Sequence, residues 1–174
     1  MDDTIENLCD AWVKALNTKY GLSVNVDDIN NWDMSVAFPQ LTKQQIVEIL
    51  YDKDFWYSVE PKRDAMEYLK RLYDEGHNIF LCTATHYGTA EPKMKAIVER
   101  YFPFIDWKHI ITCNYKQMIK CDILVDDGVH NLFGGDYTPI LFTANHNRNY
   151  DEKMNNVFRA NNWEEVYNYI HKNY

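Results

Sequence analysis

Glycine and proline are scarce in this chain, at six and five residues of 174. With 46% apolar residues, that scarcity argues for a packed globule, and no internal repeat or low-complexity segment is present. The length suits one α/β domain with a modest insertion. No apolar stretch approaches the roughly 20 residues that span a bilayer, and no signal peptide is visible. No Lys/Arg run exceeds two residues, and the formal charge is −8. Duplex nucleic acid rewards clustered cations and is therefore a poor partner. A G-x-x-x-x-G-K-[ST] loop is absent, which argues against a P-loop enzyme. Cys9, Cys82, Cys113 and Cys121 include no C-x-x-C pair. They read as reduced thiols of a cytoplasmic protein.

Aromatic residues are plentiful, at 15% with thirteen Tyr. Many fall in the first third, at Trp12, Trp32, Phe38, Phe55 and Trp56. Most suit a core, and a few suit a wall for a planar ligand. Ile5, Leu8, Cys9, Trp12, Leu16 and Tyr20 recur near the helical period over 5–20, and Gly21 is a suitable stop. Thr42-x-x-Gln45 is a capping box for a second short helix. Residues 5–58 thus read as a helical unit without strands.

The pattern then alternates. A helix is expected from Pro61, in its first turn, to Gly76, and another over about 90–101. Ile79–Cys82, Ile110-Ile111, Ile123–Val125 and Pro139–Phe142 read as strands, and Trp163–His171 as a closing helix. Strands alternating with helices predict a parallel sheet. Active groups in such sheets sit at the carboxyl ends of strands. Thr83 and Asp126-Asp127 both fall there.

Those residues form a chemical set. Asp2 and Asp3 open the chain, and Thr83, Lys116 and Asp126-Asp127 follow in order. An Asp carboxylate can attack phosphorus, and a second Asp can protonate the leaving oxygen and then activate water. A Thr hydroxyl and a Lys ammonium can hold phosphoryl oxygens. Further carboxylates suit a hard cation such as magnesium.

This set resembles the four motifs of the haloacid dehalogenase superfamily, and most closely its 5'(3')-deoxyribonucleotidase family. Asp28-Ile29-Asn30-Asn31-Trp32-Asp33, Asp54-Phe55-Trp56, Lys116-(x)9-Asp126-Asp127 and Ile140-Leu141-Phe142 resemble that family in order and spacing. The resemblance implies an α/β fold: a Rossmann-like parallel sheet, with a small helical cap inserted after the first motif. The core would be residues 1–4 and 59–174, and the cap 5–58. It implies a Mg2+-dependent phosphatase of small phosphate monoesters, nucleotides foremost. Asp2, Thr83 and Lys116 take catalytic roles, with Thr83 and Lys116 also binding the phosphoryl group. The metal set is Asp2, Asp126 and Asp127, and Trp32, Phe55 and Trp56 are candidates to stack on a base. The family's nucleophilic Asp would stand one position before Met1, at the end of an apolar strand. The expectation is that this strand and its Asp are missing, leaving the chain as written inactive. A register with Asp2 as nucleophile would make Thr4 the acid/base, a poor proton donor.

Blander readings stand beside these. Asp126-Asp127-Gly128 also suits a turn. Thr83 alone suits a buried strand end, and Lys116 alone a solvated surface. Asp2 and Asp3 also suit the positive end of the first helix. His86 and His130 follow strand ends but read as surface residues. A phosphoacceptor signalling domain would place its acidic pair ahead of its Lys, the reverse of this order. A non-catalytic binding or regulatory protein on a phosphatase fold is the other alternative, and a homodimer is compatible with the sequence.

Overall fold

A computed structural model describes residues 1–174. The first helix, α1 (Leu8–Tyr20), buries Leu8, Cys9, Val13 and Leu16. It starts three residues later than its periodicity suggests, because residues 1–6 are held otherwise. Thr4 and Ile5 donate their N–H groups to the Met1 carbonyl, and Glu6 bridges to Pro61. Gly21 ends α1 at φ 65°, a left-handed conformation that suits glycine. Then come α2 (Lys43–Val47), with the Thr42/Gln45 capping box formed, and α3 (Lys53–Tyr57). Short 3-10 turns connect them, and no strand interrupts this stretch.

The rest alternates as expected. The elements are α4 (Ala65–Asp74), β1 (Leu81–Thr83), α5 (Tyr87–Lys93), β2 (Ile110–Thr112), β3 (Ile123–Asp126), β4 (Thr138–Phe142), β5 (Phe158–Ala160) and α6 (Trp163–Asn173). Pro61 precedes α4 in a bridge instead of opening the helix. Helix α5 carries Pro92 inside it and continues as a π-helix over Met94–Glu99. Proline supplies no N–H to an i→i−4 bond, so a change of winding beside it follows.

All strand pairings are parallel. They make two sheets, β1-β2 and β3-β4-β5, with Leu81 opposite Ile110 in one and Ile123 opposite Thr138 in the other. β1 and β3 are not hydrogen-bonded to each other. Between the sheets lies a cleft of about 430 Å³, lined among others by Met1, Leu81, Ile111, Val125 and Trp163. At Met1 the α-ammonium group donates to the Cys82 carbonyl at 3.2 Å. One continuous apolar cluster runs from Met1 and Leu16 through Phe38 and Trp56 to Phe142 and Ile170. No helix is long and apolar enough to cross a membrane.

Trp163 fastens the N-terminal loop to this frame. Its indole N–H donates to the Thr4 carbonyl at 2.9 Å, its backbone N–H to Asp64 Oδ2 at 2.9 Å, and its ring packs on Phe142. Trp163→Ala is expected to cost about 3–5 kcal/mol. Trp163→Phe, which keeps most of the packing, should cost about 1 kcal/mol for the lost hydrogen bond. Urea unfolding of the two variants checks this, and a Trp163→Phe protein as stable as the parent would mean that the indole N–H contributes nothing.

Candidate active site

The carboxyl ends of β1 and β3 bring the sequence-derived residues together as ion pairs. The Lys116 ammonium, on a 3-10 turn after β2, pairs with Asp126 Oδ2, and both are buried. Asp126 Oδ1 accepts the Gly128 N–H at 2.8 Å and the Asn131 amide at 2.9 Å. Burial would raise the Asp126 carboxyl, but Lys116, the Met1 ammonium and the Asn131 hydrogen bond together hold the group below the usual range. Gly128 is required by proximity, since a Cβ there would lie 2.9 Å from His130 and 3.0 Å from Asp126 Oδ1.

The second cluster centres on Lys93, at the junction of α5 and the π-helix. Its ammonium is fully buried. It pairs with Asp2 Oδ1, lies 3.2 Å from Glu6 Oε1 and 3.1 Å from the Thr83 hydroxyl, and sits 5.1 Å from the Trp56 ring centre. Burial would raise the Asp2 carboxyl, yet the Lys93 charge holds it well below its ordinary value. Glu6 has the opposite fate. Burial pushes it up to about 8, Lys93 only partly opposes that, and the nearby Asp2 charge raises it further. One ammonium serves two carboxylates, so one of the two keeps a proton.

Asp127, Asp3 and His146 form the third group. Asp127 Oδ1 accepts the Thr4 hydroxyl at 3.1 Å, while Oδ2 is buried and has no hydrogen bond. His146 Nε2 lies 3.2 Å from that oxygen, with its hydrogen bond directed instead to the Asp127 main-chain carbonyl at 3.3 Å. Burial lowers the His146 pKa, but Asp127 outweighs it and the net shift is upward. Asp3 adopts φ 49° and accepts the Cys9 N–H through Oδ1 at 3.0 Å, so it does cap the start of α1. Burial, followed by the charge of Asp127, pushes the Asp3 carboxyl up to about 7.

A pocket of about 560 Å³ opens beside these groups. Asp2, Asp3, Lys93 and His146 face it from the core, and Trp12, Trp32 and Trp56 from the helical stretch. Thr83, Lys116, Asp126 and Asp127 lie off its wall, with Thr83 touching it only through Lys93. Trp32 is 55% exposed and sets its ring edge against His130 and His146, with centroids 5.4 and 5.0 Å away. Trp56 reaches the wall, its indole N–H already donated to the Leu50 carbonyl at 2.8 Å. Phe55 does not reach the pocket. It is buried edge-on to Trp56. His86 lines the pocket, and its Nδ1 accepts the Gly88 N–H at 3.1 Å.

A divalent cation fits part of the expected metal set. The buried, unpaired Asp127 Oδ2 is the donor such an ion needs. Both Asp126 oxygens are already engaged, the Asp2 carboxylate is held by Lys93, and the Asp2 carbonyl accepts the Thr4 hydroxyl at 3.2 Å. Sequence reasoning missed Lys93, Glu6 and His146. Lys93 stands next to a proline inside a predicted helix, which looks like a flaw and not a site. His146 lies four residues past a predicted strand end, and only the strand-end rule pointed there.

The raised Glu6 carboxyl has a consequence for stability. A carboxyl raised in the fold binds its proton more tightly there than in the unfolded chain. Its contribution is complete below the unfolded pKa and is lost as pH rises through about 8. Glu6→Gln, which mimics the protonated form, should therefore gain on the parent between pH 5 and pH 8. Unfolding midpoints of both proteins at those two pH values check it. A gap that does not move with pH would mean that Glu6 is ionised throughout.

Comparison with known proteins agrees with these motifs. The model of the family "5' nucleotidase, deoxy (Pyrimidine), cytosolic type C protein" matches residues 1–173. The chain is 34% identical over 169 residues to the 5'(3')-deoxyribonucleotidase of Clostridium acetobutylicum, covering 95% of this chain and 89% of that one. It is 32% identical over 167 residues to the 5'(3')-deoxyribonucleotidase of Bacillus subtilis strain 168, covering 95% and 92%. A solved hydrolase from Pseudomonas syringae shares the fold at TM-score 0.60 and 13% identity, over 99% of this chain and 95% of that one. The motif-bearing strand ends and a match along nearly the whole chain lead to one assignment: this protein belongs to the cytosolic type C 5'-nucleotidase family, a family of phosphoric monoester hydrolases, and is similar to the 5'(3')-deoxyribonucleotidases.

Proposed function

We propose that the protein is a magnesium-dependent phosphatase of small nucleotides, deoxyribonucleotides first, acting through an aspartyl-phosphate. The observation that carries this reading is the gathering of Asp2, Thr83, Lys93, Lys116, Asp126 and Asp127 at strand ends beside an aromatic-walled pocket. In this reading the phosphoryl group lies between the Thr83 hydroxyl and the Lys116 ammonium, which hold its oxygens. Asp2 is the acid/base in this reading: ionised beside Lys93 in the free protein, it must first gain a proton to give one to the departing sugar oxygen, and it later takes one from water. Magnesium, held by Asp127 and joined by Asp126 and the Asp2 carbonyl once these exchange their present partners, would supply charge neutralisation for the phosphoryl oxygens. Trp32 and Trp56 border the space where a base would lie. A cytoplasmic setting suits the four free cysteines.

We assign the attacking carboxylate to the position joined to the Met1 nitrogen. That nitrogen stands at the end of the cleft between β1 and β3, bonded to Cys82. An extended apolar segment in the cleft would pair both inner strand edges. Residues 1–4 and 59–174 would then act as the phosphatase core and 5–58 as its cap.

The test adds a five-residue apolar strand ending in Asp ahead of Met1, with an Asn-ended strand as control. Both strands should raise the melting temperature by several degrees, and only the Asp-ended protein should hydrolyse a deoxyribonucleoside monophosphate in magnesium. Full activity in the 174 residues alone would show that the nucleophile is elsewhere. A second measurement addresses the pocket. Base–aromatic stacking is worth roughly 1–3 kcal/mol. Trp32→Ala and Trp56→Ala in the active form should raise KM for the nucleotide about tenfold more than for an aryl phosphate. Phe55→Ala should affect both esters alike, and equal effects from all three would make the tryptophans core residues.

A further inference from the structure

The lysine pairs leave one cluster without a metal-like cation. Asp3, Asp127 and His146 place one ligand atom each within 4.8 Å of one another. No lysine or arginine pairs with either carboxylate. An acidic cluster alone would mean little, but here the buried Asp127 Oδ2 is unpaired and turned toward the other two groups. A buried carboxylate oxygen without a donor costs free energy unless a cation answers it.

Each of the three is also held from behind, as ligands are. Asp127 Oδ1 takes the Thr4 hydroxyl, which leaves Oδ2 for the cluster. Asp3 Oδ1 takes the Cys9 N–H, which leaves its second oxygen. His146 rides on a 3-10 turn pinned by Asn147, whose amide donates to the Asp127 carbonyl at 2.9 Å and the Phe142 carbonyl at 2.8 Å. The Trp32 ring edge packs against the imidazole. Outer contacts of this kind fix ligand orientation. Asp3 and His146 line the open pocket, which gives an ion a way in.

We propose that Asp3, Asp127 and His146 bind a first-row transition dication, of the manganese or cobalt class. Two carboxylates would suit magnesium, but an imidazole nitrogen shifts the preference to softer ions. The imidazole would carry its proton on Nδ1 and give Nε2 to the ion. This site shares only Asp127 with the residues given to magnesium above. It does not depend on phosphatase activity, so its failure and the failure of the nucleotidase reading are separate events.

The experiment titrates cobalt(II) chloride into the chelator-treated 174-residue protein and follows the d–d absorption. The parent should bind one equivalent. His146→Gln and Asp3→Asn should each weaken cobalt binding about tenfold or more, on the scale of a lost ligand contact. His146→Gln should leave magnesium affinity within about twofold, since imidazole adds little for a hard ion. Circular dichroism shows whether each variant is folded. Should either fail to fold, the proton spectrum of the cobalt-loaded parent decides, through one hyperfine-shifted imidazole N–H. Absence of cobalt binding, equal affinity in all three proteins, or no shifted imidazole signal would overturn the proposal. A sulfur-to-cobalt charge-transfer band would overturn it too, by placing the ion on Cys9, whose N–H bonds Asp3.

Discussion

The arrangement of the site depends on one fully buried ammonium, that of Lys93. It touches Asp2 and Glu6 of the N-terminal loop and Thr83 at the end of β1. Removing a lysine from water costs several kcal/mol, which only close carboxylates can offset. The chain therefore brings its N-terminal loop, the end of α5 and the end of β1 to one point. Without Lys93, Asp2 and Glu6 would repel each other in a dry interior. The winding change from α5 to the π-helix sits at this residue, and π-helical turns often accompany such functional positions.

Lys116 repeats the pattern across the two sheets. From the turn after β2 it answers Asp126 at the end of β3, as Lys93 answers Asp2, and the Met1 nitrogen bonds Cys82 in β1. The apolar cleft below them separates β1 from β3 and leaves both inner edges without strand partners. Backbone groups on a buried edge need partners as surely as side chains do. The charged end of the site and the apolar gap beneath it are therefore aspects of a single geometry.

Much of this was legible in the sequence. The runs at Ile79–Cys82 and Ile123–Val125 lie within a residue or two of β1 and β3, and the residues after them are Thr83 and Asp126-Asp127. Thr42/Gln45 formed its capping box as written. β5 escaped because Phe158-Arg159-Ala160 has no apolar run. Its Arg159 faces polar company, donating to the Asn147 and Tyr150 carbonyls and pairing with Glu152. Of the three aromatic candidates Trp32 and Trp56 line the pocket and Phe55 does not, because adjacent residues on a helix point in different directions. Lys93 and Glu6 were illegible for a deeper reason. A lone lysine and a lone glutamate read as solvated, and their burial follows only from a tertiary contact between residues 87 positions apart.

Charge in the site is not balanced. Asp2, Glu6, Asp3, Asp126 and Asp127 gather around Lys93, Lys116 and His146, and acid outnumbers base. Burial raises the Glu6 and Asp3 carboxyls first, and the neighbouring charges of Asp2 and Asp127 raise them further. Three buried carboxylate oxygens, both of Glu6 and Oδ2 of Asp127, have no hydrogen bond, and of these Asp127 Oδ2 belongs to the group with Asp3 and His146. A dication bound there would offset the excess of acid, with the lysines keeping the carboxylates fixed while the charge changes.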